Sequence, residues 1–336
     1  MNATTIDMTA SEGALNAASQ RKAFKQMLLI RRFEEAAEEA YMRGSIHGTM
    51  HLSIGQEASA VGACFGLKQD DYITSTHRGH GHCIAKGADI SKMFAEFFGR
   101  ETGYCRGRGG SMHIADIFGG NLGANGIVGG GIPIATGAAL AIRQQRRNNV
   151  VMCFFGDGAV NEGAFHEALN MAGLWRLPVV FVCENNKYGM SVSTERSMAV
   201  PQVAERSLSY GMPGVRADGN DFFAVYKVAT AAIARARKGD GPSLIELETY
   251  RIRGHSRSDR NRYRTKEEIE NWRTLDPILR LERGMLADGI LNDAEIQAVR
   301  EEVEAEIIAA IAFAEASPLP DPSEVTRDVY ADRTAK

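Results

Sequence analysis

Asp157 and Asn186 are the side chains whose types and spacing point most directly to chemistry. Asp157 sits in Gly156-Asp157-Gly158, and Asn186 closes the pair Asn185-Asn186 after residues 159–184. A carboxylate and an amide carbonyl are both hard oxygen donors. Magnesium takes one or two carboxylates and completes its octahedron with water and substrate phosphate. Gly156 and Gly158 let a ligand approach the main chain closely. The chemistry expected of the pair is the capture of a divalent cation carrying a phosphate.

The flanking residues say how the pair is brought together. VVMCFF (150–155) and PVVFVC (178–183) are short apolar runs of buried-strand type. Between them, Glu162 to Trp175 reads as a helix, because Phe165, Ala168, Leu169 and Ala172 recur at three- and four-residue steps. In a right-handed strand–helix–strand crossover the carboxyl ends of both strands lie side by side, where open α/β sheets bind ligands.

The rest of the chain repeats this alternation. Lys22 to Arg43 is expected to be an amphipathic helix stopped by Gly44, with Phe24, Leu28, Phe33, Ala37, Ala40 and Tyr41 on one side. Further helices are expected at 55–66, 89–98, from Ile132 onward, at 201–210, 221–237 and Asn292–Ala316, with a strand over Ser243–Tyr250. DDYITS (70–75) leads into a histidine-rich loop at 77–87, and a glycine-rich stretch runs from Gly103 to Gly131. Such alternation predicts an α/β protein, a parallel sheet flanked by helices on both faces. The expected division is a flexible N-terminal arm (1–20), one α/β domain (21–318) that includes the C-terminal helices, and an extended tail (319–336) marked by prolines.

Composition excludes several classes. A formal charge of -3 gives no overall attraction to nucleic acid or to membranes. No apolar stretch reaches membrane-spanning length. The first twenty residues carry Asp7 and Glu12 and no base, unlike a signal peptide or a mitochondrial presequence. Cys64, Cys83, Cys105, Cys153 and Cys183 form no CxxC pair, so free thiols in a reducing compartment are expected, with the cytoplasm as the location. The glycines at 156, 158 and 163 lack the GxGxxG spacing of a nicotinamide site, and no GxxxxGK[ST] is present for nucleotide phosphates. His77, His80, His82 and Cys83 suggest zinc, but no second ligand pair closes a tetrahedral site. A non-catalytic scaffold would not require Asp157 and Asn186 together.

Several further motifs occur in order: RRFEE (31–35), HLSIGQEA (51–58), HRGHGHCIAKG (77–87), GRGGSMHIAD (107–116), GANGIVGGGIPIATGAALA (123–141), GDGAVNEG (156–163), CENNKYGM (183–190) and RGHSRSD (253–259). Together they resemble the α subunit of the thiamine diphosphate-dependent first component of dehydrogenase complexes, a group that includes the pyruvate, branched-chain 2-oxo acid and acetoin enzymes. The resemblance implies a thiamine diphosphate-binding fold with Mg2+. Asp157, Asn186 and the backbone carbonyl of Tyr188 would hold the metal. Gly158 and Ala159 would offer backbone amides to the diphosphate, and Arg78 would pair with its oxygens. His77 stands where pyruvate-type relatives often have tyrosine, and is also placed at the cofactor. Gly126 and Val128 would meet the aminopyrimidine through their main chain.

The resemblance further places His255 against the cofactor and the reacting groups, His51 on the substrate side, and His80 as a third catalytic candidate. Ser256 aligns with a serine phosphorylated in some relatives, and is taken here as a polar loop residue. The arginine-rich loop from Arg251 to Arg264 would be expected to order when an anion arrives. The implied reaction cleaves acetoin, or decarboxylates pyruvate, to a hydroxyethyl-thiamine enamine that reductively acetylates a lipoyl group. A β subunit in an α2β2 heterotetramer would supply the activating carboxylate, and a lipoyl-bearing acyltransferase component would receive the acetyl group. HRGHGHCIAKG and SMHIAD look more like acetoin enzymes, whereas GHSRSD looks more like pyruvate dehydrogenase. Acetoin is the leading substrate, with pyruvate or a branched-chain 2-oxo acid as the alternative. The pocket candidates Thr49, Met50 and His51 do not separate them.

Overall fold

Strand residues alternate between faces, and here both faces are covered. The computed structural model describes residues 6, 8, 15–327, 329 and 330. The chain runs α1 (Ala17–Met42), α2 (Glu57–Cys64), β1 (Tyr72–Thr76), α3 (His80–Lys86), α4 (Ile90–Phe97), β2 (Asn121–Asn125), α5 (Gly131–Gln144), β3 (Val151–Gly156), α6 (Gly163–Leu174) and β4 (Val179–Asn185). It continues through β5 (Tyr188–Gly189), β6 (Val192–Ser193), α7 (Thr194–Ser197), β7 (Gly214–Asp218), α8 (Phe222–Lys238), β8 (Ser243–Glu248), α9 (Lys266–Arg273), α10 (Pro277–Ala287) and α11 (Asp293–Ala316). Six strands form one parallel sheet in the order β2-β1-β3-β4-β8-β7.

Val151, Cys153 and Phe155 of β3 join Val179, Phe181 and Cys183 of β4 against Ile132, Ala135 and Ala139 of α5 and Phe165 and Leu169 of α6. The intervening Met152, Phe154, Val180 and Val182 pack instead with Ala63 of α2 and Val225, Ala229 and Ala232 of α8. Burial on both faces is why these strands read as unbroken apolar runs rather than alternating ones. A third core joins α1, α4, α10 and α11 beside this sandwich, with Phe24, Phe33, Phe94, Leu281 and Val303 among its members. The expected β3–α6–β4 unit is present, and Gly156 pairs with Glu184 at its end. Asp157 and Asn186 thereby leave the sheet on neighbouring strands.

Some boundaries and elements differ from expectation. Helix α1 starts at Ala17 rather than Lys22, because Asn16 caps it by accepting from Ser19 N (2.9 Å). The expected arm therefore loses residues 17–20 to this helix. Its residues 1–5, 7 and 9–14 lie outside the described residues, while Ile6 and Met8 pack on the core formed by the sheet with α8. In the tail, residues 328 and 331–336 also lie outside, and Pro322–Thr326 form a 3-10 turn. The histidine-rich loop is half helix: α3 buries His80, His82, Cys83 and Ile84 and ends at Gly87 in the left-handed region (φ 105°). The glycine-rich stretch contains the edge strand β2, and the segment expected as a helix at 201–210 is a 3-10 turn. The last sheet strand stops at Glu248 rather than Tyr250. Among the described residues, no helix is long and apolar enough to cross a membrane.

Candidate active site

The carboxyl ends of β1, β2, β3 and β4 and the segment after β8 converge on a cleft of about 410 Å3. Its lining includes His51, His77, Arg78, Gly126, Val128, Asp157, Gly158, Ala159, Asn186, Tyr188 and His255. Residues from 51 to 255 are thus gathered at one end of a parallel sheet, where such folds bind ligands.

At Gly156 the chain leaves β3 and enters a 3-10 turn, Asp157–Asn161, that leads into α6. The first amides of such a turn have no partner within it, which suits an anion. Gly158 lies against the β5 loop so closely that a Cβ there would sit 3.4 Å from Gly189 Cα. Lys187 (φ 74°) and Met190 (φ 54°) take left-handed conformations on either side of Tyr188, and this turn holds Tyr188 at the cleft.

Asp157 is buried, and its Oδ1 accepts from Asn186 N (3.2 Å). Asn186 Nδ2 donates to Gln56 Oε1 (2.9 Å). The two remaining oxygens, Asp157 Oδ2 and Asn186 Oδ1, are buried with no hydrogen-bond partner among the described residues. Leaving such atoms unpaired costs about 1–3 kcal/mol each, more for a charged group. Burial pushes the Asp157 carboxyl up to about 6, although Arg251 and Lys187 pull it back. A divalent cation would satisfy both oxygens, and two hard oxygen donors with a nearby main-chain carbonyl suit magnesium.

The cleft also contains two buried guanidiniums. Arg78 donates to Leu52 O (2.6 Å) and to His255 O (2.8 Å), and burial with the neighbouring Arg251 lowers it to about 9. Arg251 donates to His255 Nδ1 (3.0 Å), Met190 O (3.0 Å) and Tyr263 Oη (3.1 Å), and burial lowers its pKa as well. The hydrogen bonds of these two guanidiniums go to main-chain carbonyls, a ring nitrogen and a phenol, and to no carboxylate among the described residues. Two buried cations of this kind are a receptor for an anion such as a diphosphate.

Three histidines gather beside them. Ring centroids are 4.6 Å apart for His51 and His77, 5.0 Å for His51 and His255, and 5.7 Å for His77 and His255. Burial first and Arg78 second drive their pKa values down, to about 2 for His51, 3 for His77 and 4 for His255. All three rings are therefore neutral at pH 7. Because Arg251 donates to His255 Nδ1, the His255 proton resides on Nε2. Ligand nitrogens of the trio lie within 4.8 Å of one another. Burial and the guanidinium of Arg78, which keep the rings neutral, also oppose a dication there, so the trio is suited to hydrogen-bonding an uncharged ligand rather than to holding metal.

His80 is placed elsewhere. It is wholly buried outside the cleft lining, with Nδ1 on Glu34 Oε2 (2.9 Å) and Nε2 on Ser111 Oγ (2.9 Å). Glu34 Oε1 also accepts from Ser53 N and Oγ (2.9 and 2.6 Å). His80 thus ties α1 and the 51–56 loop to the turn at Gly110–Met112, and Met112 lines the cleft. The arginine-rich loop is already closed on itself: Asp259 accepts from His255 N and Tyr263 Oη, and Arg264 donates to Arg253 O (2.7 Å) and the carbonyl of Arg251.

The profile of the Dehydrogenase E1 component family matches residues 25–323. The chain belongs to this family. E1 membership makes the protein part of a thiamine diphosphate-dependent oxidoreductase. It is 50% identical over 308 residues to the α subunit of acetoin:2,6-dichlorophenolindophenol oxidoreductase from Bacillus subtilis, covering 91% of this chain and 92% of that one. The protein of the same name from Cupriavidus necator is 45% identical over the same shares. The pyruvate dehydrogenase E1 component subunit α of Porphyra purpurea is 41% identical, covering 92% of each chain. Residues at this site to which the sequence alone assigns no role include Gln56, Arg251 and Glu184, the last lining the cleft while its Oε1 meets His82 Nε2 (3.2 Å). Gln56 and Glu184 lie inside quoted motifs, which is the one signal that marked them.

Proposed function

We propose that this chain is the α subunit of a magnesium- and thiamine diphosphate-dependent enzyme that cleaves acetoin and delivers the two-carbon fragment to a lipoyl group. The observation that carries the proposal is the orphaned oxygen pair, Asp157 Oδ2 and Asn186 Oδ1, in one cleft with two buried guanidiniums that hydrogen-bond no carboxylate among the described residues. A magnesium diphosphate suits that combination of donors and cations. When bound, thiamine diphosphate supplies the carbon nucleophile and the electron sink. The protein's part is to bind, orient and offer hydrogen bonds.

Asp157, Asn186 and the Tyr188 carbonyl hold magnesium. The amides of Gly158 and Ala159, with Arg78 and His77, hold the diphosphate, and the main chain of Gly126 and Val128 meets the aminopyrimidine. His255 donates a hydrogen bond from Nε2 to the reacting oxygen, and His51 offers Nδ1, buried without a partner among the described residues, as an acceptor. His80 acts through Glu34 and Ser111 by positioning the loops around the cleft.

Acetoin is uncharged, which matches a trio of neutral rings on the substrate side. The two relatives whose names include acetoin also stand at higher identity than the pyruvate dehydrogenase subunit of Porphyra purpurea. A β subunit completes the site in an α2β2 assembly and brings the activating carboxylate, and the acyltransferase component carries the lipoyl group. Exposed Ile127 and Met190 at the cleft support a covering partner. The five free cysteines, four of them buried, support a reducing compartment such as the cytoplasm.

The test is reduction of 2,6-dichlorophenolindophenol by the chain co-expressed with its β subunit, magnesium and thiamine diphosphate. Acetoin is expected to exceed pyruvate in kcat/KM by at least about tenfold, the lower end of what one pocket contact provides. A preference for pyruvate would overturn the substrate, and failure to bind the cofactor would overturn the whole assignment. A pH dependence follows as well. A metal must displace the proton from Asp157, so affinity is expected to be flat above pH 7 and to fall about tenfold per unit well below pH 6. Calorimetric titration of magnesium with thiamine diphosphate between pH 5 and 8 measures this, and a flat profile would contradict it.

A further inference from the structure

An asparagine amide has two ends of nearly equal size and opposite chemistry: the carbonyl accepts, and the NH2 donates. Only the carbonyl end can meet a cation. At Asn186, Nδ2 donates to Gln56 Oε1 (2.9 Å), and this leaves Oδ1 beside Asp157 with no partner. Gln56 Nε2 is likewise buried and without a partner among the described residues. Turning both amides over would give an equally bonded pair, with Gln56 Nε2 donating to Asn186 Oδ1. Asn186 would then present its NH2 to the metal position. The pair has two bonded arrangements, and one of them excludes metal.

We propose that Gln56 is a positioning residue for the metal site, acting as the acceptor that turns the Asn186 carbonyl toward the cation. The proposal rests on the magnesium site described above. Gln56 is well mounted for the task. Its N–H donates to Ser53 O (2.9 Å), and its carbonyl accepts from Ala60 N (3.2 Å) at the start of α2. Before it, Gly55 is in the left-handed region (φ 101°), and a Cβ there would come within 2.6 Å of Tyr250 O. After it, Glu57 is held by Arg31 Nε (2.6 Å) and by Gly55 N (3.1 Å). The backbone at 55–57 is thereby fixed, and its fixed point is transmitted to Asn186 through a single hydrogen bond.

The test is a double-mutant cycle read as metal affinity, independent of turnover. Mn2+ binding in the presence of thiamine diphosphate is measured by calorimetry on the assembled αβ enzyme, with thermal midpoints recorded alongside. Gln56→Met removes the acceptor and is expected to weaken Mn2+ about 10–100-fold, as loss of a partner behind a metal ligand does. Gln56→Glu keeps the acceptor and removes the competing donor, so binding is expected within about threefold of wild type, or tighter. Asn186→Asp replaces the amide by a group with two equivalent oxygens. In that background Gln56→Met is expected to change affinity by less than about threefold, because no end remains to be chosen.

Equal weakening by Gln56→Met and Gln56→Glu would overturn the proposal, and so would the same loss on both sides of the cycle. If Gln56→Met does not assemble, Gln56→Glu decides: a loss of tenfold or more overturns the idea. Failure of the wild type to bind Mn2+ with thiamine diphosphate would instead defeat the magnesium site itself. Wild-type binding with an unaffected Gln56→Met would defeat only the role of Gln56.

Discussion

Asp157→Asn is expected to abolish magnesium-dependent cofactor binding and, in the ligand-free protein at pH 7, to raise the thermal midpoint. Asp157 is a buried acid whose carboxyl sits at about 6, against 3.8 in the unfolded chain. Its folded pKa is raised, so its charge opposes folding. Well below pH 3.8 the group is protonated in both states and costs nothing. Between 4 and 6 the unfolded chain ionises first and the penalty grows; above 6 it is constant. The magnitude at pH 7 is on the order of 2–3 kcal/mol, taking about 1.4 kcal/mol per unit. Asparagine escapes this penalty but forfeits the metal's only carboxylate in the proposed donor set. Unfolding scans at pH 7 and pH 4, with calorimetry for the cofactor, would test both halves. A midpoint that falls at pH 7, or a gain that persists unchanged at pH 4, would refute the account.

Arg78→Ala is expected to lower kcat/KM by about 30-fold to a few thousandfold, matching the 2–5 kcal/mol typical of removing one partner from a buried charged pair. The loss has two sources. The diphosphate gives up a guanidinium, and two main-chain carbonyls give up their donor, at Leu52 beside His51 and at His255 itself. Both histidine loops lose a common tether. Arg78→Lys should recover little, since one ammonium cannot replace a planar fork bonded in two directions. Wild-type thiamine diphosphate affinity in Arg78→Ala, or near-normal turnover in Arg78→Lys, would show that the guanidinium has neither role.

The β3–α6–β4 unit and its two oxygen ligands could be read from sequence because every signal there is local and periodic. The strands are apolar on both faces, the helix repeats at three and four, and the ligands stand one step beyond the strands. Strands β2 (NLGAN) and β7 (GVRAD) escaped because edge strands are half exposed and carry no such run. The histidines show another limit. His77 and His80 are three residues apart, yet one lines the cleft and the other meets Glu34 inside the third core, a division made only when α3 begins at His80. Arg251 was hidden among neighbours of the same charge. It is buried, whereas Arg260 and Arg262 are exposed, and no count of arginines distinguishes them.

The strand order has a consequence for the growing chain. β8 lies between β4 and β7, yet it is the last of the six strands to leave the ribosome. Until residues 243–248 emerge, β4 presents a bare edge that is apolar from Val179 to Cys183, and β7 has no strand to pair with, because β8 is its one neighbour among the described strands. Exposed edges of this kind invite pairing with other chains. A nascent chain stalled before residue 243 should therefore be a client for holding chaperones, and termination there should yield inclusion bodies rather than a smaller folded protein. Arg251 and His255 follow β8 directly, so the cleft cannot take its ligand before the sheet's last gap is filled.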